Sequence, residues 1–134
     1  MLAIILFFSL VMQAADWPEW RGAGRQGVWR ETGVLRAFPA QGLKVKWSTP
    51  VRAGYSGPAV SQGRVFVMDH ENGAGTAVTE RVLAVNEGSG RTLWTKSWSA
   101  DYRGLDYHNG PRATPTVDGD RVYVLGAKGA MYCL

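Results

Sequence analysis

Behind a leading apolar run, the hydrophobic residues of this chain fall into short clusters separated by polar and glycine-rich turns. No stretch past the leader keeps the helical period of roughly 3.6 residues. The clusters have the length of strands, and their Val, Phe, Tyr and Leu content suits a pleated surface. Four strands are predicted per unit: A at 57–61 and 114–118, B at 64–69 and 121–126, C at 80–86 and 130–134, and D at 91–97. Residues 44–49 are predicted as the D strand of a preceding unit. Gln62-Gly63 and Gly119-Asp120 supply tight-turn chemistry between A and B, and residues 87–90 between C and D.

The clusters repeat. PAVSQGRVFVM at 58–68 aligns without gaps to PTVDGDRVYVL at 115–125, with Pro, Val, Arg, Val and Val identical. Chance gives roughly one identity over such a stretch. Trp47 and Trp94 close successive units 47 residues apart, and a period in the forties is that of propeller blades. The prolines lie 57 residues apart, and two loop insertions account for the excess. The fold class is therefore all-β: a partial β-propeller of about one and a half four-stranded antiparallel blades plus an N-terminal lead-in. The implied divisions are a signal peptide at 1–15, a lead-in and closing-strand region at 16–46, a first blade region at 47–97, and a long loop with a truncated second blade at 98–134.

The stretch 83–94, LAVNEGSGRTLW, resembles the blade signature of the pyrroloquinoline-quinone-like (PQQ-like) repeats, Ala-x-Asp-x-x-Thr-Gly-x-x-x-Trp. Ala84, Gly90 and Trp94 fit. Asn86 stands for Asp and Ser89 for Thr. The opening WPEWRG at 17–22 and GPRATPTV at 110–117 also resemble secreted bacterial proteins of this group. The resemblance implies blade-docking roles for Trp94 and Gly90, and by position for Trp47. It also implies a parent of roughly seven or eight blades, the rest of which this sequence lacks.

Composition adds the compartment and removes some functions. Residues 1–15 carry no charge, and the apolar run 2–12 is well short of the ~20 residues that span a bilayer. With Ala14-Ala15 ahead of Asp16, it reads as a signal peptide, and the protein as secreted or periplasmic, with no transmembrane span after cleavage. No cysteine lies at the cleavage site to make it a lipoprotein. The net charge of +4 comes from scattered Lys and Arg that form no basic stripe, so nucleic acid is not an expected partner. Cys133 is the single cysteine; it excludes an intrachain disulfide and is expected as a small buried hydrophobe.

Strand order puts the A–B and C–D turns on one face and the B–C and D–A loops on the other. The insertions, expected as loops at 70–79 and 98–113, share the second face, where a protein or small-molecule ligand would bind. The D–A loop supplies Arg103, Tyr107, His108, Asn109 and Arg112 as candidate rim residues; either arginine could pair an acidic group. His70 and His108 lack metal-ligand spacing, and no catalytic set or metal site is apparent. GAGRQG at 22–27 spells a dinucleotide fingerprint, but no strand precedes it and no helix follows. Three functions follow from the resemblance. The first is a binding or scaffold module of unknown ligand, and the second an outer-membrane assembly-type propeller. The third is a fragment of a quinoprotein dehydrogenase, for which PQQ with calcium would be the cofactor.

Overall fold

The computed structural model describes residues 15–106 and 110–134 of the chain. Seven strands form two antiparallel meanders. Strands β1 (Ala59–Ser61), β2 (Arg64–Asn72), β3 (Ala77–Asn86) and β4 (Thr92–Asp101) make a four-stranded sheet in that order. Strands β5 (Thr116–Asp118), β6 (Arg121–Leu125) and β7 (Met131–Cys133) make a three-stranded sheet. Apart from one 3-10 turn at Ala23–Arg25, the described residues form no helix. The chain is all-β, and the sheets are successive blades of a partial β-propeller.

Turn chemistry sets the register. Gln62 and Gly63 both take positive φ, 50° and 72°, the backbone that two-residue hairpins require. Ser61 therefore faces Arg64, and the pairing continues to Ala59 and Phe66. Asp118 faces Arg121 across the equivalent turn of the second blade.

Alternation along the duplicated B strand then explains how the blades stack. In β2, Phe66 and Met68 are buried against the second blade; in β6, Val122 and Val124 are buried against the first. These four join Val82 and Ala84 in one core, flanked by Trp98, Val117, Tyr132 and Leu134. The repeat aligns Val65 and Val67 with Val122 and Val124, so each blade turns its Val-x-Val face toward the preceding unit. It turns the other face, Phe-x-Met or Tyr-x-Leu, toward the following one. Leu125 and Met131 accordingly remain exposed on the open face of the second blade.

Four expectations change. Residues 70–79 are mostly not loop: β2 continues to Asn72 and β3 starts at Ala77, leaving a connection at 73–76. Likewise β4 runs to Asp101, so the D–A connection begins at Tyr102. The insertions thus lengthen the sheet, and their added strand residues are paired from Asp69↔Arg81 through Asn72↔Val78. Residues 44–49 form no strand, because no described strand lies alongside to pair with them. Cys133 is exposed rather than buried. It lies on β7, which pairs only with β6 in the described sheet, and the pleat turns Tyr132 rather than Cys133 to the core.

Candidate functional site on the loop face

The extended hairpin of the first blade carries two rows of polar residues, one on each face. On the face toward the second blade, strand register aligns His70 with Glu80 and Glu80 with Trp98. Glu80 is almost wholly buried, at 1% exposure. Its carboxylate accepts hydrogen bonds from Trp98 Nε1 at 2.7 Å, Tyr102 Oη at 2.8 Å and the Ala127 amide at 2.8 Å. Ala127 lies in the B–C turn of the second blade, so this carboxylate clamps the two blades together at the loop face. A side chain on Gly126 would begin 2.3 Å from Glu80 Oε2, so only glycine admits the carboxylate there. Trp98 also stacks on Tyr132 with ring centroids 4.3 Å apart.

Tyr102 is buried as well, and its phenol is held well above the ordinary tyrosine range. Burial is the larger cause, and the hydrogen bond donated to Glu80 adds to it. His70 packs 5.5 Å from the Tyr102 ring. Its Nδ1 lies 2.8 Å from the Ala53 carbonyl and its Nε2 lies 3.0 Å from Asn72 Oδ1. Gly110, at φ 107°, lets the D–A connection return against this imidazole: a Cβ there would lie 2.6 Å from His70 Nδ1.

On the opposite face, Asp69 is buried directly across from Arg81. Arg81 binds it through two nitrogens, at 2.8 and 2.7 Å, and the Arg52 amide donates to it at 2.7 Å. Glu71 bridges Arg81 and Arg52 at 2.8 and 2.7 Å. The hydrogen bond to Asp69 is the main reason that the Arg81 pKa is raised. Two-point pairing of this kind fixes both position and orientation, so the hairpin is braced on both faces.

The candidate rim residues divide. Tyr107, His108 and Asn109 lie outside the described residues. Arg103 is exposed, pairs with Asp101 at 3.3 Å, and accepts a hydrogen bond from Lys128 on its carbonyl at 3.0 Å. Arg112 is exposed and stands 5.9 Å from the Tyr55 ring centroid. Tyr55 and Arg112 occupy equivalent places in the repeat, three residues before Pro58 and Pro115. The Tyr55 amide donates to the Pro111 carbonyl at 2.9 Å, which holds the two strand-A entries side by side.

The three residues read as blade-docking lie on the turn side. The Trp47 indole covers Gly90, where a Cβ would lie 2.7 Å from the ring, and Trp47 Nε1 donates to the Glu87 carbonyl at 2.7 Å. Thr49 also hydrogen-bonds the Gly90 carbonyl. Trp94 packs 6.0 Å from Phe66 and lines a groove of about 340 Å³ between the blades, beside Arg64, Arg121 and Leu134. That groove lies by the A–B turns, at the opposite end from the polar rows.

Sequence reasoning missed Glu80 and Asp69. Each stands at the end of a predicted strand, beside the polar run 70–79 expected as loop, and neither was singled out. Their signal was the hairpin register, which sets Glu80 opposite Trp98 and Asp69 opposite Arg81. Among the described residues no cluster of three His, Cys, Asp or Glu is arranged to hold a metal ion. The buried carboxylates are committed to protein donors, so the described residues do not form a calcium cradle.

A four-stranded and a three-stranded antiparallel unit, stacked through a duplicated B strand, define a partial β-propeller. Residues 78–134, from β3 to the last residue, match the family described as outer membrane protein assembly factor BamB. This match is consistent with a PQQ-like repeat over that part of the chain. No curated protein and no solved structure matches it. No helix among the described residues is long and apolar enough to cross a membrane.

Proposed function

We propose that the chain is a binding or scaffold module that works outside the cytoplasm and engages a protein partner on its loop face. The observation that carries this reading is the braced hairpin of the first blade. Its strands outrun those of the second blade, and buried polar contacts hold it on both faces. Rigid presentation of exposed groups is what binding requires. Asn72, Arg103, Arg112 and Lys128 supply polar and cationic groups on that side. The family match to an outer membrane assembly factor supports a protein as the ligand, and the uncharged leader supports export.

A dehydrogenase reading finds less support. The two buried carboxylates of the loop face, Asp69 and Glu80, are already held by Arg81, the Arg52 amide, Trp98, Tyr102 and the Ala127 amide.

Replacement of residues 107–112 by a Gly-Ser turn tests the loop-face reading. Partner capture in the periplasmic fraction should fall while the circular dichroism spectrum is retained. Unchanged capture by the folded variant would remove this loop from the interface. Adding PQQ and calcium to the folded chain should give no bound-quinone absorbance and no dye-linked alcohol oxidation. A saturable quinone signal would favour the enzyme instead.

A further inference from the structure

We propose that residues 16–18 form an axial latch. They seat as a short strand on the inner edges of β1 and β5, tie the two blades together at the propeller axis, and cover the A–B-turn end of the axial space.

Strand A is the innermost strand of a propeller blade, and its free edge faces the central channel. Val60 pairs with Val65, and Val117 with Val122. Both are one step from a two-residue turn, in the pairing position whose N–H and C=O point away from the neighbouring strand. The main-chain groups of Val60 and Val117 therefore face the axis, and an open edge of this kind invites pairing with another chain. The lead-in occupies them. Trp17 and Val60 exchange two hydrogen bonds, at 2.7 and 2.8 Å, and the Val117 amide donates to the Pro18 carbonyl at 2.7 Å. Two consecutive residues thus engage two consecutive blades. Pro18 has no N–H to offer, so the segment caps the edge without extending the sheet.

The side chains secure the latch at the turn end. Asp16 accepts from Ser61 Oγ at 2.8 Å and from the Gln62 amide at 3.2 Å. Gln62 Nε2 in turn donates to the Gly119 carbonyl of the second A–B turn at 2.9 Å. The Trp17 ring lies against Gly22, where a Cβ would approach to 2.7 Å and φ is 73°. Glu19 holds the following turn by accepting from the Gly24 amide at 3.1 Å and Arg25 Nε at 2.8 Å. Four residues of the Trp-Pro-Glu-Trp-Arg-Gly run, which the loop-face reading leaves unexplained, are thereby accounted for. Trp17 and Pro18 pair with the axis, Glu19 closes the turn, and Gly22 makes room for the indole.

Amide exchange on the full chain, followed by NMR, tests the latch. In Gly22→Ala and Trp17→Ala the Val60 and Val117 amides should exchange about tenfold faster or more, while the Phe66 and Val82 amides keep their protection. In the wild-type chain under mild denaturant, Val60 and Val117 should open together before the β2–β3 ladder; this arm needs no variant to fold. Unchanged exchange at Val60 and Val117 in both variants would overturn the proposal. So would opening of these two amides in the wild-type chain only together with the β2–β3 ladder.

Discussion

Replacing Glu80 with alanine should be among the most damaging single changes on the loop face. The substitution strands three donors at once: the Trp98 indole, the Tyr102 hydroxyl and the Ala127 amide. A buried donor left without an acceptor costs roughly 1–3 kcal/mol. Water entering the vacated space offsets part of that, so a net loss of about 3–5 kcal/mol is expected. Domains of this kind hold about 5–15 kcal/mol in total, so the effect is large. Urea unfolding followed by tryptophan fluorescence measures it, since Trp98 stacks on Tyr132 across the seam. With a slope of about 1–2 kcal/mol per molar urea, the midpoint should fall by roughly 2–3 M. Glu80→Gln separates charge from shape. One oxygen still serves Tyr102 and Ala127, but the amide nitrogen now faces the Trp98 N–H, for a cost of about 1–2 kcal/mol. Adding Trp98→Phe removes the opposed donor, so the double mutant should show a coupling of about 1 kcal/mol. A Glu80→Ala protein within about 0.5 kcal/mol of wild type would refute the clamp.

Gly90→Ala should destabilise by about 2–4 kcal/mol in the same assay, because a Cβ would sit 2.7 Å from the Trp47 ring on a backbone at φ 72°. Trp47→Ala should relieve the clash but leave the backbone part of that penalty, about 1–2 kcal/mol. Arg81→Ala leaves Asp69 buried without its partner and should cost about 3 kcal/mol, whereas Arg103→Ala, at an exposed pair, should stay within about 0.5 kcal/mol. The raised pKa of Tyr102 sets a pH dependence. A phenol whose folded pKa lies above the unfolded value of about 10 contributes fully below that pH and loses its contribution as pH rises through the folded value. Wild-type stability should therefore fall more steeply above about pH 10 than that of Tyr102→Phe, and one tyrosine should resist ionisation until the chain unfolds; parallel curves would contradict this.

The sequence made the scaffold legible because its signals are local. Tight turns at Gln62-Gly63 and Gly119-Asp120 and the duplicated B strand specify strand number, order and register with little help from the rest of the fold. Boundaries at the loop face were less legible. His70, Glu71 and Thr79 are polar, and polar runs read as loop. They belong to strands because the Asp69–Arg81 pair and the Glu80 hydrogen bonds offset the cost of burying charge, and those partners lie across the sheet or in the next blade. Cys133 misled in the opposite sense. Its apolar neighbours suggested burial, but on β7 the pleat turns Tyr132 inward. Arg103 and Arg112 were visible as exposed cations, yet sequence gave no sign that one would pair with Asp101 and the other stand over Tyr55.

The claim that the loop face is the working surface is tested most directly by photocrosslinking in the cell, with a photoreactive residue placed singly at Asn72, Lys128, Ser89 or Asp120. All four are exposed, the first two on the loop face and the last two on the turn face. The account predicts a discrete protein adduct from Asn72 or Lys128 and none from Ser89 or Asp120. Adducts from the turn-face positions alone would contradict it.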